Sequence, residues 1–438
     1  MMARLLKKLK KIWERKGNYY DVIVGSGGTV ALRAIKVGSK FLVSILLART
    51  LGTEEYGVYR YVISWMTMLA MVGKAGIPQL ATREVSKASK SSNWGYLKGF
   101  IKWSTISVIM LSLVASLAYV LVFYSARSIF EGRKLLVVPI VGLTLTALLG
   151  LKQGVIRGTK YVLGAQIPRS VIFPVSFLLC TYIASIHLDL SSEIVITVYV
   201  SCLLLSLIFI ILIQGYTIGG RRRNQKSIYN IYSWLKSSVP FFLSSIGNKI
   251  NKEVPIIILG SFIGAKEAGL FAISRKGASV IKLVLMSVNM PVGPIFSRLY
   301  VSKKVEELQK VVTKSARLIF CTSLPIFILL IAFGSYFLSL FGSEYVDGYS
   351  ILVVLSLGQL FNSSMGSVGI LLNMTNLEKY TAYGVIISSL LNTLLCFMLV
   401  PYFEGLGAAV SVSISILVWN IALTYFCFKN LNINATFV

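Results

Sequence analysis

Acidic residues and histidine are scarce in this chain. His187 is its single histidine, and 16 Asp and Glu stand against 44 Lys and Arg, a formal charge of +28 over 438 residues. Charged residues of both signs reach only 14%, whereas a water-exposed globular surface needs about a quarter. With 55% hydrophobic residues and a mean hydropathy of +0.76, most of the chain must face lipid, and no large soluble domain fits. Cys180, Cys202, Cys321, Cys396 and Cys427 stand inside apolar runs at no ligand spacing, and one histidine cannot complete a histidine–cysteine metal site. No cofactor is expected. The absence of a Gly-rich loop ending in Lys-Ser/Thr excludes ATP consumption by a P-loop in this chain. Met1 to Lys16 lacks an apolar core of signal-peptide length.

What is present is apolar run after apolar run. At about 20 residues per crossing, the runs give about twelve membrane helices in two groups of six. The expected architecture is an all-α polytopic membrane protein with two six-helix lobes around a central cationic cleft. The expected boundaries are a cytoplasmic amphipathic interfacial segment (1–20), an N-lobe (21–218), a basic cytoplasmic linker (219–237), a C-lobe (238–430) and a cytoplasmic tail (431–438). In the first segment Leu5, Leu6, Leu9, Ile12 and Trp13 share one helical face opposite Lys7, Lys8, Lys10 and Lys11.

Alternate connections differ sharply in charge. One set carries Arg83, Lys87, Lys90 and Lys98, then Arg157 and Lys160, then Arg221 to Lys226, then Arg298 through Lys314. The other set is short and mostly acidic, with Glu54, Glu55, Asp189, Glu193, Glu344, Asp347 and Glu404; only Arg127, Arg133 and Lys134 dissent. By the positive-inside rule both termini are cytoplasmic and the protein sits in the cell (inner or plasma) membrane. The basic excess is thereby assigned to anionic lipid headgroups, and no nucleic-acid partner is expected.

An internal repeat supports the two-lobe expectation. Leu47-Ala48-Arg49-Thr50-Leu51-Gly52-Thr53-Glu54-Glu55-Tyr56-Gly57-Val58-Tyr59 recurs about 212 residues later as Leu259 to Phe271, with Gly, Glu, Gly and an aromatic in register. Six crossings per half bring both copies in from the same side, a parallel repeat about an axis normal to the membrane.

Several cations fall where hydrocarbon should exclude them. Arg33, Lys36 and Lys40 lie within about 60° on the first helix, and each would cost roughly 2.5–3.5 kcal/mol facing lipid at mid-depth. At the repeat offset Lys40 meets Lys252, with Lys249 one turn before; Arg275 and Lys282 share a face with Ser279 on the eighth helix. Glu253 is the only carboxylate deep in any expected crossing. It is a candidate ion-coupling group for H+ or Na+, or a clamp on Lys249 at helical spacing. Arg60, Lys74, Lys102, Lys152 and Arg169 also lie in crossings, several near enough to an interface to snorkel. Arg33, Lys36, Lys40, Lys249, Lys252 and Arg275 are the expected substrate-binding residues. A hydrated cleft lined by them calls for an anionic substrate, phosphate above all.

The chain also resembles the polysaccharide transporter branch, the O-antigen or lipid-linked oligosaccharide flippases, of the multidrug/oligosaccharidyl-lipid/polysaccharide exporter superfamily. The resemblance rests on Leu47 to Gly57, on Gln153-Gly154-Val155-Ile156-Arg157-Gly158 with Pro168-Arg169, on Phe341-Gly342-Ser343-Glu344-Tyr345, and on Val400 to Ala409. These motifs are individually loose but fall in order at expected helix boundaries along nearly the whole chain. The resemblance implies alternating access and a polyprenyl-pyrophosphate-linked oligosaccharide as cargo, carried to the outer leaflet for surface polysaccharide biosynthesis. Membrane lipids and polysaccharide biosynthesis enzymes are the other expected partners, and a monomer the expected state. Two alternatives stand beside a non-enzymatic flippase. A multidrug antiporter would need acidic cavity residues for cationic drugs, and a membrane glycosyltransferase or ligase would need catalytic carboxylates or His on a sizeable external loop.

Overall fold

The computed structural model describes residues 18–125, 135–219 and 226–436. The dissenting loop with Arg127, Arg133 and Lys134, Arg221 to Gln225 of the linker, and Met1 to Lys16 lie outside the described residues. Among those described there is no strand; helices follow one another through short turns. Asn18–Lys74 breaks at Gly52 into α1 (18–51) and α2 (53–74). There follow α3 (Ile77–Lys90), α4 (Trp94–Ser125), α5 (Val137–Gly158), α6 (Val162–His187) and α7 (Ser192–Ile218). The second half holds α8 (Ile231–Phe262), α9 (Ala265–Val301), α10 (Val305–Ala332), α11 (Tyr349–Ser364) and α12 (Val368–Met374). Glu378–Leu431 breaks at Glu404 into α13 (378–403) and α14 (405–431).

Among the described residues seven helices are long and apolar enough to cross a membrane, and an eighth if Ser343–Ser364 and Val368–Met374, bent by 42°, count as one span. Their outer faces carry large apolar side chains: Leu117 and Leu121 on α4 are 67% and 71% exposed, and Leu390 on α13 is 64% exposed. Surface of this kind belongs in hydrocarbon, and the protein is a multi-pass membrane protein.

Gly52, Gly264 and Glu404 mark one end of the bundle, the elbow end; residues 75–93 and 226–230 mark the other, the linker end. Gly52 (φ 71°) and Gly264 (φ 137°) occupy backbone conformations that side chains resist, so each repeat copy can fold one helix back against the next. The copies then perform the same task. Glu55 Oε2 accepts from the Ser192 backbone N–H at 2.8 Å, at the start of α7. Glu267 Oε2 accepts from the Gly405 backbone N–H at 3.2 Å, at the start of α14. In each half a repeat glutamate thus satisfies an orphan N–H where the last helix of that half begins, and its charge favours the positive helix end. Glu267→Ala should cost about 1–2 kcal/mol and lower the unfolding temperature in detergent, with Glu267→Gln, which keeps an acceptor, costing less. Equal melting of all three proteins would show that this bond does not support the fold.

Two elements depart from the expected spans, each for a local reason. The second crossing, expected over 58–80, stops at Lys74, because Ala75 (φ 40°) and Gly76 (φ 74°) turn the chain and Pro78 opens the amphipathic α3. α8 begins at Ile231, inside the stretch expected as linker, because Trp234 is buried among Tyr96, Phe100 and Trp103, with ring centroids 5.4, 5.2 and 5.1 Å away. The Trp234 indole donates to Tyr96 Oη at 2.5 Å, whose hydroxyl donates to Glu84 at 2.8 Å. The first turns of α8 are therefore packed into the core of the first half.

Candidate functional site

Glu253 lies on α8 with its side chain 4% exposed. Lys249, one turn earlier, places its Nζ 3.6 Å from Glu253 Oε1, the helical pair the sequence spacing offers. Lys252 also reaches Oε1 at 3.6 Å, a contact that adjacency on a helix does not suggest. From the other half, Ser64 Oγ of α2 donates to Oε2 at 3.1 Å. Arg60, one turn from Ser64, and Arg275 of α9 act on the same carboxylate electrostatically. A lone buried carboxylate would be costly; here it sits among cations contributed by both halves.

Lys40 stands exposed on α1, with Lys36, Arg169, Lys252 and Arg60 as charged neighbours. The structure therefore brings Lys36, Lys40, Lys249, Lys252 and Arg275 into one region between α1, α8 and α9. Arg33 lies on the same helix, but its side chain is outside the described residues. Arg275 is tied down: its guanidinium donates to the Lys252 carbonyl and, through Nη2, to the Asn251 carbonyl at 3.3 Å, and lies 5.9 Å from the Phe271 ring. Lys282 is exposed one to two turns further along α9, with Arg275 as its charged neighbour.

Three cations set aside in the sequence as snorkelling candidates, and one that drew no notice there, join the region. Lys276 donates to the Lys40 carbonyl at 2.8 Å and to Ser44 Oγ, with its ammonium 5.9 Å from the Phe41 ring, so it bridges α9 to α1. Arg60 is placed as described. Arg169 projects from a widened π turn, Pro168–Ile172: the Phe173 N–H reaches back five residues to Pro168 O, and Pro174 has no N–H for the Ser170 carbonyl. Arg169 acts on Lys40, Lys74 and Lys249. Lys74 runs its stem along Gly150 of α5, where an added Cβ would stand 3.0 Å from Lys74 Cε. The legible signal was that all four interrupt apolar runs. Lys152, by contrast, bonds Thr105 Oγ1 at 3.1 Å within the first half.

At the elbow end the halves are latched. Glu344 Oε2 accepts from Thr53 N (3.2 Å) and Thr53 Oγ1 (2.9 Å), Tyr345 Oη donates to Gly52 O (3.0 Å), and Arg49 Nε donates to Leu340 O (2.7 Å). Beneath these bonds α2 and α9 cross backbone to backbone. A Cβ on Gly57 would stand 1.7 Å from the Ala265 carbonyl oxygen, and one on Gly269 2.4 Å from that of Thr53. The two motif glycines of the repeat thus face each other across the boundary between halves.

Fold and site together define a multi-pass, all-helical membrane protein whose two halves meet over converging cations. The comparisons carry this further. The chain belongs to the polysaccharide biosynthesis protein family, whose pattern matches residues 26–300; the MatE pattern matches residues 240–398. Over 381 residues it is 21% identical to a relative named as the low-salt glycan biosynthesis flippase Agl15 of Haloferax volcanii, covering 86% of this chain and 77% of that one. Over 396 residues it is 24% identical to a protein named as an O-antigen transporter in Escherichia coli K12, covering 86% and 91%. Among solved structures the fold is similar to the lipid II flippase MurJ in an inward closed conformation, at TM-score 0.71 and 16% identity over 92% of this chain and 87% of that one. It is likewise similar to an inward-facing multidrug resistance MATE transporter of the MOP superfamily, at TM-score 0.70 and 13% identity over 90% and 94%.

Proposed function

We propose that the protein is a flippase that moves a polyprenyl-pyrophosphate-linked oligosaccharide from the cytoplasmic to the outer leaflet by alternating access, and that it catalyses no covalent step. The observation that carries this reading is the convergence of Lys40, Arg60, Lys252 and Arg275, from α1, α2, α8 and α9, on a region whose one deeply placed carboxylate among the described residues is Glu253. Several cations on both walls can offset the desolvation of a pyrophosphate while the isoprenoid tail stays in lipid. The names carried by relatives in glycan and O-antigen export support the cargo class. A multidrug antiporter for cationic compounds would meet like charge here.

In this reading the chain forms twelve crossings in two lobes, with the boundaries given above except that the linker ends where α8 begins, at Ile231, in the cell membrane. The linker end is cytoplasmic, as its lysines and arginines favour, and the elbow end is external. The external end is then the latched one. Glu253 serves as a fixed counter-charge instead of taking up H+ or Na+, because two lysine ammoniums at 3.6 Å and the Ser64 hydroxyl at 3.1 Å already engage its two oxygens. Glu253→Gln should leave any response of flux to an ion gradient unchanged and tighten pyrophosphate binding by about tenfold, since one opposing charge is removed at close range. Loss of gradient stimulation in that variant would make it the coupling group.

The direct test is reconstitution into proteoliposomes with defined polyprenyl-pyrophosphate glycans, scored by lectin access to the far leaflet. Transfer that needs the protein is the expected result. Absence of transfer together with efflux of a cationic dye would overturn the reading. Labelling of a Cys at Gln225 from outside intact cells would overturn the orientation.

A further inference from the structure

Lys102 and Lys152 stand on the outer face of the first half, away from the region between the halves. Every charged residue of α4 and α5 is a cation: Lys98 and Lys102 on the first, Lys152 and Arg157 on the second. Around α4, Lys102 falls within about 60° of Ile106, Leu113 and Leu117, and all four are exposed. Around α5, Lys152 falls within about 60° of Val137, Val141 and Leu148, and the two valines are exposed. Each helix thus turns an apolar stripe out to lipid and closes it, on the linker side, with a lysine.

The two stripes meet at one contact. Lys152 Nζ donates to Thr105 Oγ1 at 3.1 Å, while the Thr105 hydroxyl donates to the Ile101 carbonyl at 2.7 Å. Lys102 lies one turn before Thr105, at a Cβ separation of about 5–6 Å, so a lysine from each helix reaches the groove between α4 and α5. Lys98 lies one turn nearer the linker end on the same face. By helical rise Lys102 is about 12 Å from the start of α4 and Lys152 about 9 Å from the end of α5, both inside one leaflet of a hydrocarbon core about 30 Å thick. A lysine at such a depth ordinarily stretches outward to water. Lys152 reaches sideways instead, to a residue about 16 Å from the start of α4, which keeps its charge within the leaflet. The carboxylate that α3 brings to α4, Glu84, is bonded to Arg83 and Tyr96 Oη; Tyr96 and Thr105 lie about 180° apart around α4, so Glu84 is on the far side of that helix from the groove.

We propose that the groove between α4 and α5 binds an anionic membrane phospholipid of the linker-side leaflet, its phosphodiester between Lys102 and Lys152 and an acyl chain along Ile106, Met110 and Leu113. The inference goes beyond the flippase reading and does not depend on it. The occupant is a bilayer lipid because the groove opens outward, where the surrounding solvent is lipid, and because it pairs cations at headgroup-side depth with an apolar strip running on toward mid-membrane. A phosphate oxygen can take a charge-assisted bond from each ammonium, and in surroundings of low dielectric such bonds are stronger than at a wet surface. A zwitterionic headgroup offers the same phosphate but brings its own cation, which would meet the two lysines. The bound lipid spans the border that the bond from Lys152 to Thr105 already crosses, so it braces α4 against α5.

The test titrates the delipidated full chain in neutral detergent with dioleoylphosphatidylglycerol or dioleoylphosphatidylcholine and follows the unfolding temperature. A phosphatidylglycerol with a photoreactive headgroup then maps the site. Phosphatidylglycerol should raise the unfolding temperature saturably, phosphatidylcholine should not, and the label should fall on α4 and α5. Lys102→Gln/Lys152→Gln should need at least tenfold more phosphatidylglycerol for the same rise, and Lys102→Arg/Lys152→Arg should respond as the parent does. Lys310→Gln/Lys314→Gln, which removes the same charge from exposed positions on α10, should also respond as the parent does. Equal weakening in the α10 pair would mean that the lipid answers only to net charge, an unchanged response in the Lys102 and Lys152 Gln pair would mean no site, and label on α1, α8 or α9 would place the lipid between the halves; each overturns the proposal. Should the double Gln variant fail to fold for want of the bond to Thr105, the exposed Lys102 carries the test alone: a response weakened in Lys102→Gln and kept in Lys102→Arg is expected, and equal responses overturn it.

Discussion

Replacing both Lys40 and Lys252 by Glu is expected to abolish flipping in a protein that still folds and inserts. The two lysines stand on opposite halves within electrostatic reach of each other, and the Lys252 side chain is 62% exposed. A charge-assisted bond to phosphate contributes about 1.5–3 kcal/mol, so inverting two such groups should lower flux by a factor of about a hundred or more. The Gln pair keeps hydrogen-bonding capacity and should lose about tenfold. Elution as a single species in detergent and an unchanged melting profile would establish folding. Normal flux by a folded Lys40→Glu/Lys252→Glu protein would reduce the cations to an insertion or packing feature.

The second large effect belongs to the elbow end. Gly57→Val places a branched side chain where a single Cβ would already stand 1.7 Å from the Ala265 carbonyl oxygen, which is backbone and cannot swing away. Overpacking of this kind costs about 1–3 kcal/mol or more, enough to shift a two-state balance by a factor of ten to a hundred. The variant should be held away from the latched form, and flux should fall accordingly. Spin labels on Leu51 and Ser343, across the latch, should report a longer distance in Gly57→Val than in the parent. Glu344→Ala, which removes the acceptor for Thr53 N and Oγ1, should move the distance the same way but less. An unchanged distance distribution in Gly57→Val would show that this crossing does not set the open–closed balance.

Much of the fold is legible in the sequence because hydrocarbon imposes simple rules. Apolar runs must be helices, and their charges must face one another. The repeat was legible because its glycines and glutamates do the same work twice, at Gly52 and Gly264 and at Glu55 and Glu267. The site was only partly legible. Lys249 and Glu253 are four apart on one helix, so their pairing follows from spacing, but Lys252 reaches the same oxygen by bending its side chain. Depth was harder. Lys74 is the last residue of α2 because the chain turns at Gly76, a turn set by Ser238 and Phe242 of the other half, which leave no room for a Cβ. Arg169 enters through a π turn, and Lys276 through the tertiary approach of α9 to α1; neither position follows from a helical wheel.

The contact between Ser64 and Glu253 has a counterpart at the repeat offset. Glu253 stands about 212 residues after Phe41, and Lys276 the same distance after Ser64, so the pair Phe41 and Lys276 occupies the positions related to Glu253 and Ser64 by the repeat. Both pairs are in contact, one as hydroxyl to carboxylate at 3.1 Å and the other as ammonium to ring face at 5.9 Å. The helices thus keep the geometry of the duplication while the chemistry at equivalent positions has diverged in sign: a carboxylate on one wall, an ammonium over an aromatic ring on the other. The electric field across the space between the halves consequently lacks the two-fold symmetry of the helices that enclose it. An elongated anion in that field does not find its two orientations equivalent, and turning it end for end costs energy even though the walls are built on one plan.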